Sequence, residues 1–195
     1  MTGVQTCALP ISDAQIDVSL VESRTQTPDG IRRADAGELA EIFTFARKGH
    51  PCIAAWSVAA WKRWPHIVVQ LGERVRSTVE IAAHSHGVER TIGATVPNFS
   101  QIPALLSQTN LLATMTPLVM DGAMERHGLV ALEPPLSINA SAFSFIWGFR
   151  LENDPGSRWF RTQVMRVYED LRLSVAAQTA TWNIVKASKP RKARK

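Results

Sequence analysis

Residues 91–116 read TIGATVPNFSQIPALLSQTNLLATMT, and the order of residue types in that stretch decides the fold class. Thr91, Ile92, Thr95 and Val96 bring β-branched side chains to a strand over 91–96, which Pro97 ends because proline has no N–H to give to a ladder. Asn98 and Ser100 are N-cap residue types, and Pro103 falls in a first helical turn, where N–H groups have no intrahelical partner. A helix therefore starts here. Residues 111–115, which follow Gln108, Thr109 and Asn110, predict a second strand and so a βαβ unit with its crossover on one sheet face. Such a unit turns a helix N-terminus, with free N–H groups and a positive dipole end, toward the crevice beyond the strand ends where open α/β sheets bind ligands. In this chain that place is Pro97-Asn98-Phe99-Ser100.

Working outward, residues 66–71 (HIVVQL) predict a hydrophobic strand ended by Gly72, and residues 77–86 a helix stopped by Gly87. Farther upstream, residues 14–22 make a short strand with Ile16, Val18 and Leu20 on one face, and residues 23–30 are a polar segment ending in the turn Pro28-Asp29-Gly30. Residues 39–46 (LAEIFTFA) are a further strand, and residues 57–64 a helix joining Val58, Trp61 and Trp64 before Pro65. Downstream, residues 117–127 predict one helix, 129–132 a brief strand and 141–151 an aromatic strand. Asp154 then caps a last helix, whose stripe of Trp159, Phe160, Val164, Val167, Tyr168 and Leu171 calls for a sheet to cover. Helices alternating with strands through the middle give an α/β fold. Residues 40–135 read as one self-sufficient lobe, and residues 13–39 with 136–176 as two ends of another.

The charge is unevenly placed. Lys and Arg number 22 against 17 Asp and Glu, yet six of the basic residues lie in 186–195, so the rest of the chain sums to 16 against 17. A folded basic face for phosphates is not indicated, and residues 177–195 read as a solvated basic tail. Two cysteines, Cys7 and Cys52, with no CxxC and no paired His spacing, suggest neither a disulfide framework nor a metal site. No apolar run reaches the roughly 18 to 20 residues that a membrane helix needs, so a soluble chain in a reducing cytoplasm is expected. The opening MTGVQTCALPIS resembles the translation of a sequencing-library adapter, and residues 1–12 are set aside as non-native.

There is no Gly-rich phosphate loop, HExxH or GxSxG, and no carboxylate pair spaced for acid and base, so no enzyme, metal or cofactor is expected. His50 and His66 read as capping or core-edge residues. Asn98, Phe99 and Ser100 offer an amide, a ring face and a hydroxyl beside helix N–H groups, which suits a small aromatic or aliphatic carboxylate. The alternative is ordinary capping, with Phe99 as a hydrophobic staple. Phe143, Phe145, Trp147 and Phe149 alternate along one strand face, for core packing or for ligand contact.

An ordered series of short segments then carries a resemblance. Residues 45–51 (FARKGHP), 64–69 (WPHIVV), 95–99 (TVPNF), 110–115 (NLLATM), 145–147 (FIW) and 154–161 (DPGSRWFR) together resemble the effector-binding domain of LysR-type transcriptional regulators, from about Ile16 to Leu173. The resemblance implies a fold like the type 2 periplasmic binding proteins, here with one complete lobe and the remnant of the second. It implies a small effector between lobes, with Asn98, Phe99 and Ser100 as one wall and with His66 and Phe145 among the ligand-binding residues. The branch it is most similar to responds to small aromatic carboxylates or flavonoid-like inducers. Where a relative carries His in the turn this chain has Asn98, which cannot become a cation. A homo-oligomeric parent protein is implied, reaching DNA through an N-terminal winged helix-turn-helix that the 195 residues do not contain. A periplasmic solute-binding protein of the same fold is the rival reading. With no recognition helix to enter a groove, the chain is expected to give no sequence-specific operator complex in a gel-shift titration at moderate salt, and such a complex would overturn this reading.

Overall fold

The computed structural model describes residues 11, 16–38, 41–70, 77–120, 122–139 and 142–188, which group into two units. Unit 1 is Met1–Ala40 with Ala140–Ala176, and unit 2 is Glu41–Asn139 with Ala177–Lys195. The opening segment except Ile11, the break expected at Gly72 and the tail from Lys189 onward lie outside the described residues.

Unit 2 is built on a mixed sheet. Strand β4 (His66–Val69) pairs in parallel with β5 (Ile92–Val96), while β3 (Phe43–Arg47) pairs antiparallel with both β6 (Ala113–Met115) and β7 (Leu129–Leu132). The two halves meet where His66 bridges Leu112 in parallel, with Ile67 N donating to Leu112 O at 2.9 Å and Leu112 N to Pro65 O at 2.9 Å. So the crossover from β5 to β6 skips a strand: β4 lies between them, rather than the two pairing directly. Helix α1 (Val58–Arg63) starts on the Ser57 hydroxyl, which accepts from Ala60 N, and α2 (Thr78–Ser85) starts on Ser77, which accepts from Glu80 N. Helix α3 (Ile102–Gln108) follows a 3-10 turn at Phe99–Gln101.

The helix expected over 117–127 is broken into a 3-10 turn, Pro117–Met120, and a short α4, Ala123–Arg126. Gly122 between them has φ +61, a left-handed conformation that glycine adopts without a Cβ clash, so it divides the run.

Strand β3 shows why both faces of this sheet are dry. Phe43 and Phe45 face one core with Val96, Ile102, Leu106 and Met115, while Ala46 joins Trp56, Trp61, Val79, Leu112 and Leu132 on the other side. Burying a side chain such as Phe45 contributes roughly 1.5 to 3 kcal/mol. Residues after the last helix, placed by the sequence in a basic tail, lie on this unit as far as Ser188. Trp182 stands edge-on to Phe43 and Phe45 at 5.7 and 5.8 Å, and Val185 bridges Leu132 in parallel.

Unit 1 holds an antiparallel sheet of order β1, β8, β2, where β1 is Ser19–Glu22, β2 is Ile31–Glu38 and β8 is Ala142–Gly148. Strand β2 was not anticipated, because an edge strand reading IRRADAGE carries no apolar alternation. Val21 and Ile146 pack on one side with Ile11, which is fully buried although it falls in the opening segment set aside from the sequence. The last helix, α5 (Pro155–Thr179), begins on Asp154, whose Oδ1 accepts from Ser157 N at 2.7 Å and whose carboxyl is held below its usual range by that bond. Its buried face keeps only part of the expected stripe: Tyr168 is buried and Val164 and Leu171 are half-buried. Arg161, Tyr168 and Val175 turn inward, whereas Trp159, Phe160 and Val167 are 66%, 45% and 63% exposed. Arg161 is drawn in by polar partners: it donates to the carbonyls of Leu151 and Glu152 and lies over the Trp147 ring at 4.9 Å.

At the seam of unit 2, a Cβ on Gly93 would stand 2.7 Å from Pro65 Cβ and 2.8 Å from Leu111 Cδ2. Gly93→Ala is therefore expected to lose about 1 to 3 kcal/mol of stability by overpacking, read as a lowered urea midpoint, and an unchanged midpoint would contradict this packing.

Candidate functional site

Strand β5 ends at Val96, and the ladder to β4 runs out with Gln70 N donating to Val96 O at 3.0 Å. Pro97 then lifts the chain off the sheet. Asn98, at φ −151 and ψ 160, is still extended, and the 3-10 turn begins at Phe99. Its side chain does not cap that turn. Instead Ser100 Oγ donates to Asn98 Oδ1 at 2.6 Å, and the NH2 group is left to donate elsewhere. Asn98 and Ser100 are exposed, and Phe99 is half-buried against the core that holds Val96, Ile102 and Leu106. Phe99 thus packs on the core, and Asn98 with Ser100 forms a small exposed polar surface.

Unit 2 also holds a buried polar network that the sequence reading did not single out. Thr44 and Thr114 share a hydroxyl hydrogen bond at 2.9 Å across β3 and β6, and Trp61 Nε1 donates to Thr114 Oγ1 at 3.0 Å. Trp61 and Thr44 are fully buried and Thr114 nearly so. A threonine at matching positions of two strands that otherwise read as apolar is the signal that was available, since buried hydroxyls need partners.

His66 completes this network rather than the turn's surface. It is fully buried, its ring stands edge-on to Trp61 at 4.6 Å, and its Nε2 lies 2.8 Å from Trp61 O. A carbonyl only accepts, so Nε2 carries the proton and the ring is neutral. Burial lowers its pKa to about 4; the bond to Trp61 opposes that shift and the Arg90 charge adds to it. His50 is also interior: its Nδ1 accepts from Cys52 N at 3.0 Å, and its pKa is lowered chiefly by burial. Burial pushes the Cys52 thiol up to about 11, which leaves it a poor nucleophile.

Phe145 belongs to unit 1, where it packs edge-on against Tyr168 at 5.3 Å and is 4% exposed. Unit 2 therefore brings together Asn98, Phe99 and Ser100 at one turn, with His66 in the interior behind β4. Among the described residues, no group of His, Cys, Asp and Glu is placed to hold a metal ion, and no helix is long and apolar enough to cross a membrane.

Comparison with known proteins gives a consistent picture. The family model for the LysR substrate binding domain matches residues 4–169. Nodulation protein D 2 of Rhizobium tropici is 29% identical over 130 residues, covering 66% of this chain and 37% of that protein. The HTH-type transcriptional activator NahR of Pseudomonas putida is 30% identical over 84 residues, 43% of this chain and 28% of that protein. The chain thus spans about a third of the length of these curated relatives. Among solved structures, the regulatory domain of MexT, a transcriptional activator in Pseudomonas aeruginosa, superposes with a TM-score of 0.68 at 21% identity, covering 82% of this chain and 76% of that one. A probable transcriptional regulator from the same organism gives 0.70 at 19% identity, covering 84% and 54%. These are regulators, which sets aside the solute-binding-protein reading.

The buried neutral His66 has a consequence for stability. Its pKa of about 4 in the fold lies below the ordinary 6.5, so the unfolded chain binds the extra proton between those values. Stability is full above pH 6.5 and falls as pH drops toward 4, by up to about 3 kcal/mol from this group. Urea unfolding across that window should show the loss, with His50 adding in the same direction. His66→Asn should flatten the slope, and an identical slope in that variant would place the proton elsewhere.

Proposed function

This chain belongs to the LysR substrate-binding domain family, and from that premise we propose that it senses a small carboxylate through the turn Pro97-Asn98-Phe99-Ser100. The observation that carries the reading is the bond from Ser100 Oγ to Asn98 Oδ1, which engages the amide oxygen and leaves the NH2 group to donate. An exposed group that offers donors, with a ring beneath it and the first N–H groups of the 3-10 turn beside it, suits a ligand that brings acceptor oxygens on an apolar body. Aromatic carboxylates have that form. In this reading His66 touches no ligand; it holds Trp61 in the interior of unit 2.

The fold is the type 2 periplasmic-binding-protein-like α/β fold of that family. The parent protein, in this reading, is a cytoplasmic homo-oligomer that contacts DNA through a helix-turn-helix outside these residues. Effector binding shifts the population of two arrangements on DNA, by as much as the effector's affinities for them differ. Titration calorimetry with benzoate as the probe tests the sensing step. Saturable binding that weakens about tenfold in Asn98→Ala, roughly 1.4 kcal/mol, is expected. Binding that is indifferent to both Asn98→Ala and Ser100→Ala, or no binding of the carboxylate at millimolar concentration, would remove the turn from the site.

A further inference from the structure

Unit 2 contains a cavity of about 510 Å³ where strand β7 begins. Its place on the sheet follows from the pairing. Strands β4 and β5 are parallel, and β4 bridges Leu112 in parallel just ahead of β6, so these strands end on the side of the sheet from which the turn 97–100 springs. Strand β3 runs the other way. Phe43 pairs with Met115 at that end, and Arg47 pairs with Leu129 at the opposite one. Lys48 and Leu129 both line the cavity, which therefore lies across the sheet from the turn and is a separate place.

Part of the lining is apolar. Leu129 and Ala131 are buried on the face of the sheet that carries Phe45, and Met124 and Trp182 pack against the same core and are half-buried. Trp182 also stands edge-on to Phe43 and Phe45, so its ring is fixed before any ligand arrives. Aliphatic side chains beside a thioether and an indole suit a flat ring or a branched aliphatic body, and the volume falls in the range of small-molecule pockets.

The rim carries both signs of charge. Lys48 and Glu125 line the cavity too, both are exposed, and among the described residues neither forms an ion pair, with the other or with any third group. Gly128, whose carbonyl accepts from Lys48 N at 2.7 Å, has no side chain to keep the lysine stem out. A simple anion drawn to Lys48 would meet the like charge of Glu125, and a simple cation drawn to Glu125 would meet that of Lys48. A zwitterion satisfies both. We propose that this cavity is a second ligand site, which takes a free α-amino acid with an aromatic or branched aliphatic side chain. Its carboxylate accepts from the Lys48 ammonium, its ammonium donates to the Glu125 carboxylate, and its side chain lies against Trp182, Met124 and Leu129. The turn 97–100 has no carboxylate to offer an ammonium, so the two sites differ in chemistry as well as in place.

Calorimetric titration of the 195-residue chain with L-phenylalanine tests this. Saturable binding is expected, and 3-phenylpropionate, which lacks the ammonium, and 2-phenylethylammonium, which lacks the carboxylate, should each bind about tenfold more weakly or worse. In Glu125→Gln the advantage of phenylalanine over 3-phenylpropionate should vanish, and in Lys48→Gln its advantage over the amine. Such a change of preference among ligands is not what a loss of fold produces. Absence of saturable binding at millimolar phenylalanine, equal binding of either single-charge analogue by the unaltered chain, or an unchanged preference in either variant overturns the proposal. Benzoate titrates the turn separately, so failure here leaves that reading standing, and the reverse.

Discussion

The hydrogen bond from Trp61 Nε1 to Thr114 Oγ1 joins two halves of unit 2 that follow different pairing rules. On one side β4 and β5 run parallel; on the other β3 is antiparallel to β6 and β7. Parallel and antiparallel ladders space their bonds differently, so a seam between them needs a fixed point. Here it is a set of buried polar groups, in which Thr44 bonds Thr114, Trp61 reaches the same hydroxyl, and His66 holds the Trp61 carbonyl from β4. In a dry interior each of these groups would be a liability alone, and together they specify one register. The turn at Pro97 inherits its position from that register, because β5 is aligned only through β4.

Unit 1 reaches its order by another route. Its sheet buries Val21 and Ile146 on one side and Phe145 and Trp147 on the other, and α5 covers the second side with Tyr168 and Arg161 rather than with its most apolar residues. An arginine that gives two bonds to carbonyls and lies on an indole is better satisfied inside than at the surface. Trp159, Phe160 and Val167 are left exposed, while Tyr168 of the same expected stripe is buried.

The position of the proposed effector contacts follows from these constraints and not from any reactive group. The buried histidines are neutral and the thiol of Cys52 is protonated, so what the strand-end turn offers is directional hydrogen bonding from an amide and a hydroxyl. That suits recognition, and membership of a family of regulator domains agrees with it.

Much of the fold was legible because it is written in local constraints. Pro65, Gly87 and Pro97 stand just past the ends of elements, β-branched runs prefer strands, and Ser77 and Asp154 cap the helices that follow them; thus β4, β5, α2, α3 and the start of α5 could be placed by pattern. Strand β2 could not, because an edge strand with exposed charges has no apolar alternation. Nor could the break at Gly122, where residues on either side both favour helix. Among the candidate site residues, the turn 98–100 was placed by a proline after a strand, which is a local fact. The interior position of His66 and the pairing of Phe145 with Tyr168 required partners far away in the chain. The sequence by itself therefore determined the α/β class and the turn, since dihedral preference and capping act over a few residues. Only the tertiary structure decided which face of α5 is covered, that Trp182 returns to Phe43 and Phe45, and where the polar seam lies, because those depend on which distant groups can satisfy one another once water is excluded.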